Sequence, residues 1–235
     1  MLKFVCIGAQ KSGTSWLYDV LSKHPEIGFP GGKEVHFWDA HRSNGVEWYK
    51  DLFHSQDICN GDITPAYAIL PLESIREVYL NFPELRLVYL MRNPIERAWS
   101  SARMAIRRAE MQYPEASDQW FIDHFNSQGS LQRGDYASCL KNWMSVYPRE
   151  RFLLARYEEI VQEPVALANR VLRHIGLDDF FTDEHRMELS RPVFEGGRYS
   201  LRPALAEVLR ALYSDKIDAL TDFLGDDFSE WKNIR

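Results

Sequence analysis

The sequence predicts an α/β fold: a central parallel sheet flanked by helices, in a single domain. Three observations predict it. Short apolar runs rich in β-branched and aromatic residues alternate along the chain with stretches of helical periodicity. The strongest run, residues 85–91 (LRLVYLM), is almost continuously apolar, as a parallel strand covered on both faces must be. The chain has 235 residues, 45% hydrophobic and 26% charged, which suffices for one sizeable core.

Taken in order, residues 2–7 form a buried strand closed by Gly8. The loop 9–13 leads into a helix over 14–23, with Trp16, Leu17, Val20 and Leu21 at helical spacing, and His24-Pro25 ends it. Residues 57–61 are a weaker strand candidate. Residues 71–82 are helical through Leu72, Ile75, Val78 and Tyr79. After the strand 85–91, residues 94–110 form a helix with Pro94 in its first turn. A helix over 136–146, a strand over 151–155 and a helix over 164–175 ending at Gly176 follow. A long helix over 204–224 stops at Gly225. Residues 111–135 and 177–203 are polar or poorly periodic and are expected to be irregular excursions of the kind that shape ligand sites. No repeat or linker interrupts the chain, so residues 1–235 read as one domain.

The net charge of −6 disfavours a protein that coats nucleic acid through bulk positive charge. Cys6, Cys59 and Cys139 have neither a disulfide framework nor a zinc spacing, so no metal is expected. No run approaches the ~18 apolar residues of a membrane span, and no signal peptide is legible. The expectation is a soluble cytoplasmic protein.

Residues 8–15 (GAQKSGTS) lie between a strand and a helix. Unpaired N–H groups and the dipole make a helix start a ready anion site, and Gly13 lets the backbone come close. Thr14 and Ser15 add hydroxyls and Lys11 a full charge. The spacing is near that of a Walker loop, but Thr14 stands where the lysine belongs. The strand 85–91 also runs into Arg92-Asn93 rather than a metal-binding carboxylate. By itself the loop is equally compatible with a hydroxyl-capped helix and an incidental lysine. A second anion site is suggested by Arg92, at a strand's carboxyl end, and Ser100, two turns into the next helix, although each taken singly reads more readily as a surface arginine and a helix serine. Two anion sites suggest a ligand with separated phosphates.

Residues 33–39 (KEVHFWD) set Glu34, His36 and Asp39 among aromatic residues. A locally extended chain would point Glu34 and His36 to one face, with Val35 and Phe37 packing behind. On residues alone a charged loop edge, with His36 satisfying a local carbonyl, is the favoured reading. The helix after Arg92 carries Arg97, Arg103, Arg107 and Arg108, with Arg103 and Arg107 four apart. It reads either as a lining for an anionic acceptor or as a solvated basic face. The aromatic residues Trp38, Trp48, Tyr49, Phe53, Tyr67, Trp120 and Phe121 read mainly as core.

The ordered set of residues 8–27, 33–39, 61–67 (GDITPAY), 87–100 (LVYLMRNPIERAWS) and 194–200 (FEGGRYS) resembles the sulfotransferases that use 3′-phosphoadenosine-5′-phosphosulfate. It is most similar to the branch of heparan sulfate sulfotransferases and their bacterial relatives. The resemblance implies a P-loop-like core and transfer of a sulfuryl group to a hydroxyl or amine. Lys11, Ser12, Gly13, Thr14 and Ser15 would hold the 5′-phosphosulfate. Arg92 and Ser100 would hold the 3′-phosphate. Gly197, Arg198 and Tyr199 would close over the nucleotide. Glu34 would be the general base, with His36 orienting it or replacing it, and Asp39 supporting the pair. Lys11 would stabilise charge on the bridging oxygen. No metal would be needed, since Lys11, Arg92 and Arg198 supply positive charge.

The acceptor would be a saccharide, glycolipid or other small metabolite. The chain departs from the family pattern at Gly196, where many members carry lysine. It departs again at Ile63, where some glycan-modifying members do. It also lacks the cysteine pair of secreted members. Two other readings stay open on residues alone: a magnesium-dependent kinase and a non-catalytic nucleotide-binding protein.

Overall fold

The computed structural model describes residues 1–54, 58–191 and 199–233. Its strands are β1 (Leu2–Gly8), β2 (Ile27–Gly28), β3 (Cys59–Ile63), β4 (Arg86–Met91) and β5 (Phe152–Arg156). Its α-helices are α1 (Thr14–Leu21), α2 (Val46–Asp51), α3 (Leu72–Asn81), α4 (Pro94–Arg108), α5 (Asp118–Asn126), α6 (Gln128–Arg133) and α7 (Tyr136–Met144). They continue with α8 (Tyr157–Gln162), α9 (Pro164–His174), α10 (Arg186–Leu189) and α11 (Pro203–Leu224). The five strands form one sheet in the order β2-β3-β1-β4-β5, and every pairing is parallel. The α/β class read from the sequence is the observed one.

Two compact units make up the chain: Met1–Met91 with Asn142–Val193, and Arg92–Lys141 with Phe194–Arg235. The first holds the sheet. Along β1 and β4, alternate residues Phe4, Cys6, Val88 and Leu90 face one core with Leu17 and Val20 of α1, Ile160 of α8, and Leu167 and Val171 of α9. Their neighbours Val5, Ile7, Leu87 and Tyr89 are buried as well. Both faces are therefore covered, which is why these strands read as unbroken apolar runs. An aromatic cluster also lies in this unit: Phe37 stacks on Tyr49 at 4.7 Å, and Tyr49 meets Phe53 and Phe82 edge-on.

The second unit is helical. Fully buried Arg97 on α4 donates to Ser130 O (2.9 Å) on α6 and to the Tyr213 hydroxyl (3.2 Å) on α11. Gly134 has no room for a side chain beside the Tyr213 ring, 2.3 Å from where a Cβ would lie.

Several expectations need correction. The second strand lies at Cys59–Ile63, two residues later than expected, and Asp57 is outside the described residues. The segment 111–135 contains two helices rather than an irregular loop. Ser117 and Ser127 cap them by accepting from Trp120 N (3.2 Å) and Ser130 N (3.3 Å). Phe121 and Phe125, one turn apart, are fully buried. One short apolar stripe is too little periodicity to recognise in sequence. The segment 177–203 holds α10 and a one-turn 3₁₀ helix over Asp183–His185, with Phe181 and Leu189 buried. Arg97 belongs to neither the solvated face nor the acceptor lining expected of α4, because it is fully buried.

Candidate active site

The loop after β1 is shaped by backbone. Ala9 N donates to Leu90 O at 2.7 Å, tying the loop's first residue to β4, the strand beside β1. Lys11 and Gly13 both take left-handed conformations (φ 70° and 98°) around Ser12, whose N–H turns back to Ala9 O at 3.2 Å. Gly13 seats the loop on α8: a Cβ there would lie 2.2 Å from Ile160 Cδ1. No side chain caps the start of α1, so its first N–H groups face the loop at the positive end of the helix dipole. Ser12 is fully buried and its Oγ has no hydrogen-bond partner among the described residues. Thr14 is buried and Ser15 half-buried. An orphaned buried hydroxyl, an uncapped helix start and a loop lysine fit a bound phosphate-type anion.

The segment 33–39 is docked on the carboxyl end of β3, which is β1's other neighbour in the sheet. Glu34 N donates to Ile63 O (3.1 Å) and Phe37 N to the Tyr67 hydroxyl (3.0 Å). Val35, Phe37 and Trp38 are buried beneath it. The backbone is not extended as expected: Glu34 and His36 are left-handed, at φ 66° and 55°. Glu34 and His36 meet nonetheless. Glu34 Oε2 lies 3.2 Å from His36 Nε2, and His36 Nδ1 lies 2.9 Å from Asp39 Oδ2. Lys33 closes the row with an ion pair to Glu34 Oε1. The result is a half-exposed chain Lys33–Glu34–His36–Asp39 of alternating character. Partial burial pushes the Glu34 carboxyl up, but the Lys33 ammonium and the His36 ring outweigh this and hold it below its ordinary range. Burial lowers His36, and Asp39 with Glu34 outweighs that and raises it.

Beneath this row lies a support that sequence reasoning missed. Asp62 on β3 is fully buried and accepts from the Thr64 hydroxyl (2.6 Å) and the Tyr49 hydroxyl (2.7 Å). Tyr67 and the Val35 backbone also bond to it. Burial raises the Asp62 carboxyl, and these donors oppose the rise. The available signal was a carboxylate followed two residues later by a hydroxyl, on one face of a buried strand.

In the second unit, Arg92 directly follows β4. Its Nε and Nη2 donate to Glu96 Oε2 at 3.1 and 2.8 Å, and its carbonyl accepts from the Tyr136 hydroxyl (2.8 Å). Asn93 caps α4, accepting from Ile95 N at 3.0 Å, and Ser100 is half-buried on that helix. Burial, then the charges of Arg92 and Arg107, lower Arg103, so three cations share one neighbourhood. Arg103 also lies over the Trp99 ring, 5.7 Å from its centroid. Tyr199 is exposed and stacks on Tyr113 at 4.2 Å. Gly197 and Arg198 lie outside the described residues.

The family model described as "Sulfotransferase domain" matches residues 3–191. The chain belongs to the sulfotransferase domain family, whose members are transferase enzymes. Among curated relatives, heparan sulfate glucosamine 3-O-sulfotransferase 6 of Mus musculus is 28% identical over 186 residues, 76% of this chain and 53% of that protein. Heparan sulfate glucosamine 3-O-sulfotransferase 3B1 of Homo sapiens is 29% identical over 191 residues, 77% of this chain and 47% of that protein. The chain thus spans about half the length of the curated relatives it matches. Among solved structures, a sulfotransferase from Alicyclobacillus acidocaldarius shares the fold with a TM-score of 0.77 at 24% identity, covering 99% of both chains. Mouse sulfotransferase SULT7A1, complexed with PAP, gives a TM-score of 0.60 at 16% identity, over 92% of this chain and 84% of that one. Among the described residues no helix is long and apolar enough to cross a membrane.

Proposed function

We propose that the chain transfers a sulfuryl group from 3′-phosphoadenosine-5′-phosphosulfate to a hydroxyl or amine of a saccharide, glycolipid or small metabolite. The observation that carries the reading is the loop at the end of β1, where buried Ser12 keeps an unpaired hydroxyl beside an uncapped helix start. Membership of the sulfotransferase family and the solved neighbour holding PAP support it. When bound, the donor supplies an activated sulfuryl group on a phosphate leaving group. Lys11, Ser12, Gly13, Thr14 and Ser15 bind its 5′ end, and Lys11 neutralises charge growing on the bridging oxygen. Arg92 and Ser100 bind the 3′-phosphate, with Gly197, Arg198 and Tyr199 completing the nucleotide site. Arg92 exchanges its contact with Glu96 for phosphate, a bidentate partner of higher charge. Glu34 accepts the acceptor's proton, and His36, braced by Asp39, orients the Glu34 carboxylate. The left-handed Glu34 and His36 favour this reading, because such strain at non-glycine residues gathers at functional sites. We read the whole chain as one functional domain, since the family match over residues 3–191 takes in the first unit and the Arg92–Lys141 part of the second. Three cysteines free of disulfides agree with a cytoplasmic location.

Calorimetric titration with adenosine 3′,5′-bisphosphate, against AMP and ATP without magnesium, tests the donor assignment. Binding that requires the 3′-phosphate and weakens about 10–100-fold in Arg92→Ala is expected, the worth of a charge-assisted hydrogen-bond pair. Preference for ATP, or no binding, would sink it.

A further inference from the structure

Lys33 has no part in the reading above, yet it occupies one oxygen of the proposed base. Side chains of consecutive residues in an extended chain point to opposite faces, so Lys33 and Glu34 would not ordinarily meet. They meet because Glu34 is left-handed, a conformation costing about 1–3 kcal/mol for a non-glycine residue. The ion pair does not repay that as stability. Lys33 and Glu34 are 22% and 37% exposed, and a pair in such a setting contributes about 0–1 kcal/mol. Strain held for so weak a pair points to a role beyond folding. Both Glu34 oxygens have a partner, Oε1 in Lys33 and Oε2 in His36, and each keeps a lone pair for an incoming hydroxyl. His36 is in turn braced by Asp39. The Lys33 charge acts on the Cys6 thiol of β1, so Lys33 stands near the strand from which the phosphate loop springs.

We propose that Lys33 is a positioning residue for Glu34: its ammonium keeps the carboxylate ionised and aimed while that carboxylate's remaining lone pairs receive the proton of an arriving hydroxyl. This rests on the reading of Glu34 as the base. Among the described residues the charged groups acting on Glu34 are Lys33 and His36, with Asp39 on the far side of His36. Asp62 lies below, satisfied by Thr64, Tyr49, Tyr67 and the Val35 backbone.

The test needs no knowledge of the natural acceptor. The side-chain carboxyl of Glu34 is followed by NMR titration of glutamate-labelled protein, its resonance assigned as the one missing in Glu34→Gln. In parallel, release of sulfate from labelled 3′-phosphoadenosine-5′-phosphosulfate is measured against pH, with water as acceptor. In that reaction the water oxygen bonds to sulfur as the bridging S–O bond breaks. The water's proton passes to Glu34, and the bond's electron pair leaves with the adenosine 3′,5′-bisphosphate. In Lys33→Met both the Glu34 titration and the acid limb of sulfate release move to higher pH, while Lys33→Arg restores both toward wild type. An unmoved titration in Lys33→Met overturns the proposal. So does a titration that moves while the acid limb of release stays put. If Glu34→Gln releases sulfate at the wild-type rate, the base assignment itself has failed, and the role of Lys33 falls with it for that separate reason.

Discussion

The ends of β1 and β3 are neighbours in the same sheet, and each carries a left-handed loop, but the two are built on opposite principles. At β1 Gly13 takes φ 98° freely and its missing Cβ leaves space for Ile160, while Lys11 is left-handed at φ 70°. That loop offers the backbone N–H groups of a helix start without a side-chain cap, beside the buried Ser12 hydroxyl. At β3 the strain falls on Glu34 and His36, which carry side chains the chemistry would use. That segment is held down by a buried network of Asp62, Thr64, Tyr49 and Tyr67. A loop that binds an anion through its backbone can be specified by glycine. A loop that presents a carboxylate and an imidazole cannot, so its odd conformation must be supported from below.

The contrast can be broken most sharply by one substitution at each end. Glu34→Gln is expected to lower turnover by about 10²–10⁴-fold with bisphosphate affinity unchanged, the usual worth of a positioned base. Gly13→Ala is expected to do the reverse of sparing the donor. A Cβ against Ile160 and a strained φ destabilise the fold by about 2–3 kcal/mol, read by denaturant unfolding, and bisphosphate binding falls with it. A Gly13→Ala protein that bound the bisphosphate normally would mean the loop is not held by the glycine.

A smaller effect tests the support under the second loop. Asp62→Asn keeps the shape but swaps one acceptor oxygen for a donor facing the Tyr49 or Thr64 hydroxyl. A loss of about 1–2 kcal/mol in unfolding free energy is expected, with bisphosphate binding retained. Tyr49→Phe should cost less, since it removes a donor while Asp62 keeps Thr64.

The smallest effect is the pH dependence of the exposed row. Glu34 sits below its ordinary 4.5, so its contribution is present above that pH and fades as pH falls through its folded value. His36 sits above its ordinary 6.5, so its contribution is complete below that pH and fades as pH rises through its folded value. The two overlap between about 4.5 and 6.5, where the row stabilises most. Solvent screening keeps the gain under about 1 kcal/mol. Thermal unfolding of wild type and His36→Asn across this range should show a shallow maximum in the first and not in the second.

Sequence periodicity reached β1, β3, β4, β5 and the long helices because each carries its pattern locally, whereas the two-residue β2 has none. Residues 85–91 could be little other than a doubly covered strand, and Pro94 and Gly176 mark helix ends by their own backbone limits. The short helices α5 and α6 escaped, since two serine caps and one pair of phenylalanines leave almost no repeat to detect.

By itself the sequence determined the parallel α/β layering, the glycine loop at the first strand and the residues that make up each motif. Those depend on local propensity and on spacing along the chain. Tertiary structure alone decided that Lys33, Glu34, His36 and Asp39 form one connected row and that Asp62 lies buried beneath it. It also decided that Arg92 faces Glu96 while Arg97, five residues on, is sealed among Ser130 and Tyr213. Arginines a few residues apart are alike in sequence. Which of them meets solvent depends on what packs against each face, and those partners lie some 30 to 120 residues away in the chain.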